Sequence, residues 1–447
     1  MTIVTMSPAL LGFAMVGVFT ALVMTRRLAA VPALIIVPIV FSVLAGTGAR
    51  TGAMMLAGVV EVAPTAVMLI FAILYFGLMI DAGLFQPVVS RIVRWVGDDP
   101  ARATVGHAAL ASVVGLDGDG TTTALVGASS MLPVYRRLRM NVLIFAVVGS
   151  LTFIIMNMSP WGGPAARVAA ALRVNPVDLF VPMLPVAATG LGFVFFLAWR
   201  FGRAERRRLA TLSSTADPAS PVVTSDAAVL AAAFHADPGA ARPRLLPINL
   251  ALTLMLMTAV IARAAPLPIL FMGGVALALM INYPRLADQR ARMVAHSGNS
   301  LSVGLMVLAA GAFTGVMAGT GMVDGMAAAL LGVLPPAVGP YLGTITALVS
   351  IPANFLLSSD AFYFGVLPVI AEAASHYGIS AEEIGRASLL GQPVHSLSPL
   401  VAAVYLKCAL IGIELAELQR YAWKYSLGLC FVLIGAALLF GVIPLAA

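Results

Sequence analysis

Long stretches without a single charged side chain dominate the sequence. They fall at 7–25, 28–49, 63–80, 179–199, 245–262, 266–283, 300–323 and 425–447. About 20 apolar residues in a helix cross a hydrocarbon layer of about 30 Å. A soluble chain of this length needs about 25% charged residues to cover its surface; this one has 10%, against 61% hydrophobic. The expected fold is therefore an all-α polytopic membrane protein, with the lipid bilayer as its main solvent. The first stretch has no basic residue before it and ends at Arg26-Arg27, so it reads as a retained span and not as a cleaved signal. The net charge of +7 does not call for nucleic acid, because Arg collects at the cytoplasmic ends of spans. Cys408 and Cys430 lie in apolar runs and match no zinc spacing, so both are expected as free buried thiols.

The distribution of Lys and Arg sets the expected topology. With the N- and C-termini outside, all 26 fall on the cytoplasmic side except Arg50, Arg167, Arg173, Arg263, Arg386 and Lys407. This bias satisfies the positive-inside rule only if the segments 103–135 and 341–371 enter and leave on one side. Each arm of the first segment has about 14 residues, roughly 20 Å of helix and too short to cross. Both segments therefore read as re-entrant hairpins with polar tips, Asp117-Gly118-Asp119-Gly120 and Ser358-Ser359-Asp360. Two more runs are broken by proline, at 157–164 and 393–399.

These features order the chain into two halves. The first, 1–200, has scaffold spans 7–83, hairpin 103–135, broken helix 141–172 and span 179–199. Residues 201–244 form a flexible cytoplasmic linker rich in Ser, Thr, Asp, Pro and Ala, with Arg206-Arg207-Arg208 near its start. The second half, 245–447, has scaffold spans 245–323, hairpin 341–371, broken helix 382–411 and span 425–447. Gly77, Met79 and Gly83 align with Gly315, Met317 and Gly321, and Ser159-Pro160 with Ser398-Pro399. About ten transmembrane helices and two hairpins in inverted-topology repeats are expected, the arrangement whose paired breaks mark a carrier's binding site.

The candidate substrate-binding residues follow from the tips and breaks. They are Gly118, Asp119, Gly120, Thr121, Thr122, Asn157, Gly162, Gly163, Ser358, Ser359, Asp360, His395, Ser396 and Ser398. Free amides and helix N-termini at such breaks attract anions. Asp119 and Asp360 at membrane depth are costly and point to function. Two carboxylates beside an anionic substrate require an intervening cation or proton. They are read either as ligands of a Mg²⁺- or Ca²⁺-class ion arriving with the substrate, or as carriers of the coupling proton. The competing reading is that they cap the hairpin helices. His395 is a third proton-coupling candidate or a packed histidine. Arg167 either meets the substrate or faces the periplasm, Asp81 ends a span, Asp117 lies near the first tip, and His107 reads as structural.

Several runs resemble the citrate–metal:proton symporter family, CitMHS. They are LIFAILYFGLMID at 69–81, LDGDGTTT at 116–123, PWGGP at 160–164, DAFYFG at 360–365 and GQPVH at 391–395. The resemblance spans nearly the whole chain apart from the linker. It implies a non-enzymatic symporter of a bacterial inner membrane, carrying citrate complexed with a divalent metal together with H⁺, with no permanently bound cofactor. It also implies the elevator mechanism and the homodimer of related carboxylate carriers. Those carriers bear Ser-Asn-Thr at their tips, where this chain has Asp119-Gly120-Thr121 and Ser358-Ser359-Asp360. The alternative is a Na⁺-coupled di- or tricarboxylate carrier with no metal requirement. A channel lacks support from the paired midplane breaks, and neither HExxH nor GxSxG is present to suggest an intramembrane enzyme.

Overall fold

The fold comes from a computed structural model that describes residues 7–213 and 239–447. Among the described residues there is no strand. Five helices among the described residues are long and apolar enough to cross a membrane, and further apolar helices of 10–17 residues accompany them. The remainder of the expected linker, 214–238, lies outside the described residues.

The chain opens with α1 (Pro8–Met24), α2 (Ala30–Leu44), α3 (Thr51–Asp81) and α4 (Gln86–Val96). A helical pair follows: α5 (Pro100–Val114), then α6 (Gly120–Ser130) continued by α7 (Leu132–Arg137). The chain reverses at Gly118, whose φ of 75° is open to glycine at little cost. Reversal brings His107 of α5 beside Gly127 of α6 and against Tyr135 of α7. Next come α8 (Val142–Met156), α9 (Gly163–Leu172) and α10 (Pro176–Ser213). Helix α10 runs well past the expected end of its span at 199. The Glu205–Arg208 pair at 2.7 Å and the Arg206–Asp99 pair at 2.6 Å support this extension, which takes in the first part of the expected linker.

The same order of elements recurs. Helices α11 (Leu246–Ile261), α12 (Leu267–Asn282), α13 (Leu286–Gly319) and α14 (Met322–Val333) lead to α15 (Leu342–Leu356). A π-helical stretch, Ala361–Val366, then runs into α16 (Leu367–Ser375). Tyr377, just past α16, packs on Gly339, just before α15, so this pair also folds back. The chain ends with α17 (Ala381–Leu389), α18 (Gln392–His395), α19 (Ala402–Ile411) and α20 (Leu415–Leu439).

Packing divides these helices into two regions. One core joins α1–α3 to α11–α13. At its centre the long helices α3 and α13 cross with backbones nearly touching: a Cβ on Gly58 would lie 2.0 Å from the Gly311 carbonyl. Small residues allow such close approach in lipid, where van der Waals contact drives association. The other region holds two cores: one joins the first folded-back pair to α4, α8, α10, α18, α19 and α20, and the other packs α9, α15, α16 and α17 with the π-helical stretch.

Candidate functional site

Both helix breaks open toward one place. Helix α8 ends at Met156, capped by Asn157, and α9 starts at Gly163; α18 ends at His395 and α19 starts at Ala402. The N-cap residues of α9 and α19 make no side-chain cap, although the Gly163 N–H donates to Asn157 Oδ1 at 3.2 Å, and the two helix N-termini offer partial positive charge there. The tips at 118–119 and 357–360 come to the same point. A cavity of about 350 Å³ lies between them, within the usual range for small-molecule sites.

The cavity gathers many of the residues expected from the sequence. Gly118, Asp119, Gly120 and Thr121 come from the first tip; Asn157 and Gly163 come from the first break. Ser359 comes from the second tip, and His395 and Ser396 from the second break. Thr122, Gly162, Ser358, Asp360 and Ser398 stand off the wall as its support. The Thr122 hydroxyl donates to Asp119 Oδ2 at 2.7 Å, and Gly162 is the N-cap of α9. Ser358 Oγ accepts the Ala361 N–H at 3.2 Å, while the buried Ser398 hydroxyl donates to the Phe355 carbonyl at 2.8 Å.

The two tip carboxylates have different partners. Asp119 caps α6, accepting the Thr121 and Thr122 amides at 3.0 and 3.2 Å. Its position on the wall and its capping role therefore coexist. Asp360 accepts from Arg167 Nε at 2.8 Å, an ion pair joining the second tip to the first break. The pair expected to share a metal is thus engaged with donors of the protein itself. Among the described residues, no cluster of three or more His, Cys, Asp or Glu forms a metal site. Asp117 lies buried behind the first tip, its Oδ1 accepting the Asp119 N–H at 2.8 Å.

His395 is oriented by its surroundings. Its Nδ1 lies 2.9 Å from the Asn354 carbonyl, which can only accept, so Nδ1 carries the proton. In the neutral ring, Nε2 then accepts from the Ser359 hydroxyl at 3.1 Å. His395 thereby ties the second break to the last turn of α15 and to the second tip.

Two cations complete the wall, Arg167 and Lys407. The Lys407 ammonium donates to the Ser150 hydroxyl of α8, and among the described residues it has no carboxylate partner. Sequence reasoning placed it only among the cations outside the cytoplasmic set. The signal was there to be read: a lone Lys inside the apolar run 402–411. Asp81 is also more than a helix end. It accepts from Arg292 at 3.2 Å and contacts His296 Nε2 at 2.8 Å, tying α3 to α13 away from the cavity.

Comparison with known proteins follows these features. The family model CitMHS, described as citrate transporter, matches residues 19–391. A Bacillus subtilis protein named citrate transporter is 49% identical over 438 residues, covering 97% of this chain and 99% of the relative. Another from Bacillus subtilis, named Mg(2+)/citrate complex secondary transporter, is 43% identical and covers 98% of this chain and 99% of the relative. Among solved structures, the Alcanivorax borkumensis YdaH transporter aligns over 99% of this chain and 100% of its own. Its TM-score is 0.58 at 14% identity, a likeness of fold alone. The family and the named relatives are transporters and not enzymes, and the sequence expectation of CitMHS membership holds: this chain belongs to the CitMHS family of citrate transporters.

Proposed function

We propose that the chain imports citrate as its complex with a Mg²⁺- or Ca²⁺-class metal, in symport with protons. The observation that carries this reading is the charge on the cavity. Arg167 and Lys407 are opposed by Asp119 on the wall and by Asp360 paired to Arg167. These four charges cancel. A citrate trianion entering such a site would carry three negative charges into a low-dielectric space with no net compensation. Its complex with a divalent metal carries only one. The name of the 43% identical relative supports the same substrate.

Citrate carboxylates lie toward Lys407, Arg167 and the N-termini of α9 and α19. The metal lies toward Asp119, the carboxylate on the wall. Asp360 holds Arg167 in place, and the hydroxyls of Thr121, Ser359 and Ser396 complete the polar shell. Asp119, Asp360 and His395, the proton-coupling candidates of the sequence, are titratable side chains of this region.

Transport is of the elevator type, with the unit of folded-back pairs and broken helices moving against α1–α3 and α11–α13. The ion pairs Arg173–Glu61 at 2.9 Å and Arg263–Asp178 at 2.6 Å cross between these parts and must part as it moves. The two halves form inverted repeats around the site. The protein is a homodimer of the bacterial inner membrane, with both termini outside and the linker cytoplasmic. Charged contacts support this orientation. Arg136, Arg139, Arg206 and Arg208 gather at one end of the bundle, while Arg173, Arg263 and Arg386 gather with Glu61 and Asp178 at the other.

Uptake of labelled citrate into proteoliposomes tests this reading. It should require Mg²⁺ or a related ion, stop with EDTA and collapse with a protonophore. Uptake indifferent to EDTA refutes the metal complex. Loss of uptake on replacing Na⁺ with choline would favour the Na⁺-coupled alternative.

A further inference from the structure

We propose that His107 takes up the coupling proton and that Lys407 makes its protonation depend on bound citrate. The proposal rests on the proton-coupled reading above, and it assigns the proton to a residue that the sequence marks only as structural.

His107 lies in α5 and is 2% exposed. Its ring stacks on Phe145 of α8, with centroids 4.3 Å apart and planes 15° from parallel. Its Nδ1 has no hydrogen-bond partner. A buried polar atom left unpaired is costly, and a ring kept only for packing would do better as phenylalanine. The other side of the ring faces a small cavity. A Cβ on Gly127 or Gly149 would meet Nε2 at 3.5 or 3.0 Å, and both glycines line this space. The cavity measures about 30 Å³, whereas a water needs about 10–15 Å³ and two or more polar partners. Thr123 and Lys407 line it beside His107.

Lys407 also lines the substrate cavity, as do Gly120 and Phe153. One ammonium group thus stands between the citrate site and the histidine. The other elements packed around His107 leave Lys407 as its charged neighbour. Helix α4 meets α5 through Val96 and Ile92, and α6 and α8 carry no ionisable side chain. From α7 comes Tyr135, edge-on at 5.8 Å, with Glu205 of α10 acting on Tyr135 beyond it.

Burial already disfavours a charge on His107, and the coupling acts through the further effect of the Lys407 charge. With the site empty, the positive Lys407 repels a second positive charge on His107. A citrate carboxylate at Lys407 cancels that repulsion. Neutral His107, already holding one ring proton, then accepts a second from water in the small cavity. One N–H bond forms as one O–H bond breaks, and the proton lost by water is replaced from the solvent-connected substrate cavity. When citrate leaves on the far side, Lys407 is unpaired again and the proton returns to water there. Citrate and H⁺ therefore bind with reciprocal cooperativity, the condition for symport.

The test uses purified full-length protein in proteoliposomes with labelled citrate, Mg²⁺ and an internal pH dye. The parent protein should acidify the lumen as citrate enters. In H107Q, accumulation driven by a pH gradient should fall about tenfold or more, while citrate exchange at equal pH is slowed but persists. If the parent moves citrate but no protons, the proton-coupled reading itself fails. If the parent moves protons and H107Q keeps the same proton-to-citrate ratio, His107 is not the carrier. Should H107Q show no exchange at all, Gly149→Ala decides, because its Cβ, 3.0 Å from Nε2, crowds that nitrogen while retaining the histidine. A reduced proton-to-citrate ratio in Gly149→Ala supports the proposal, and an unchanged ratio overturns it.

Discussion

Replacing Lys407 by methionine removes the ammonium while keeping most of the apolar stem, so packing around α19 changes little. In the structure the ammonium donates to the Ser150 hydroxyl and has no carboxylate partner among the described residues. A citrate carboxylate would supply one. A hydrogen bond to a charged group contributes about 1.5–3 kcal/mol. At about 1.4 kcal/mol per decade, its loss should raise the KM for Mg²⁺–citrate about 10- to 150-fold. The thermal midpoint should hold or rise, since a partly desolvated charge has been removed. Ser150→Ala is the control: it deletes the hydroxyl but keeps the charge, and should raise KM by no more than about fivefold. The assay is initial-rate uptake into proteoliposomes over a range of citrate concentrations with Mg²⁺ in excess. A K407M protein with unchanged KM, or an S150A protein as impaired as K407M, would show that the lysine only anchors α19 to α8.

Two further predictions concern what supports the site. Asp360→Asn leaves the Arg167 guanidinium without its carboxylate in a pair only partly exposed to solvent. Uptake and the thermal midpoint should fall together, by about 2 kcal/mol after allowance for solvent screening; a variant normal in both means that Arg167 finds its partner elsewhere. Gly58→Val forces side-chain atoms into the Gly311 carbonyl at the α3–α13 crossing, and should cost more than about 4 kcal/mol. Size-exclusion chromatography of the detergent-solubilised variant should give aggregate, and a sharp normal peak would refute the close crossing.

Hydrophobic patterning made the class of fold legible, because no soluble arrangement can cover such a chain. Proline and glycine punctuation marked the breaks at 157–164 and 393–399, which the structure shows at 157–162 and 396–401, because the backbone rules act locally. The chain reversals near Gly118 and Ser358 were legible from arm length. The partnerships were not. Asp360 meets Arg167 across 193 positions of sequence, and Lys407 reaches Ser150 across 257. Counting charges by side set Arg167 and Lys407 apart from the cytoplasmic set, but it could not separate cations at a bundle end from cations in a cavity. Periodicity likewise saw His107 on an apolar helix and read it as packing. Its unmatched nitrogen appears only once α6, α8 and α19 close around it.

The charge balance of the cavity gives coupling a physical reason. On the proposed cycle the site crosses the membrane both loaded and empty, and net charge carried through a low-dielectric region is costly. The empty wall is balanced, with Arg167 and Lys407 against Asp119 and Asp360. Metal–citrate adds one negative charge, and one proton on His107 restores the balance. A loaded, protonated site and an empty, unprotonated one are then the two forms free to move. The two mixed forms carry a charge and are held back. On this proposal symport needs no further gate: the metal lowers the charge of citrate from three to one, and the proton removes the last.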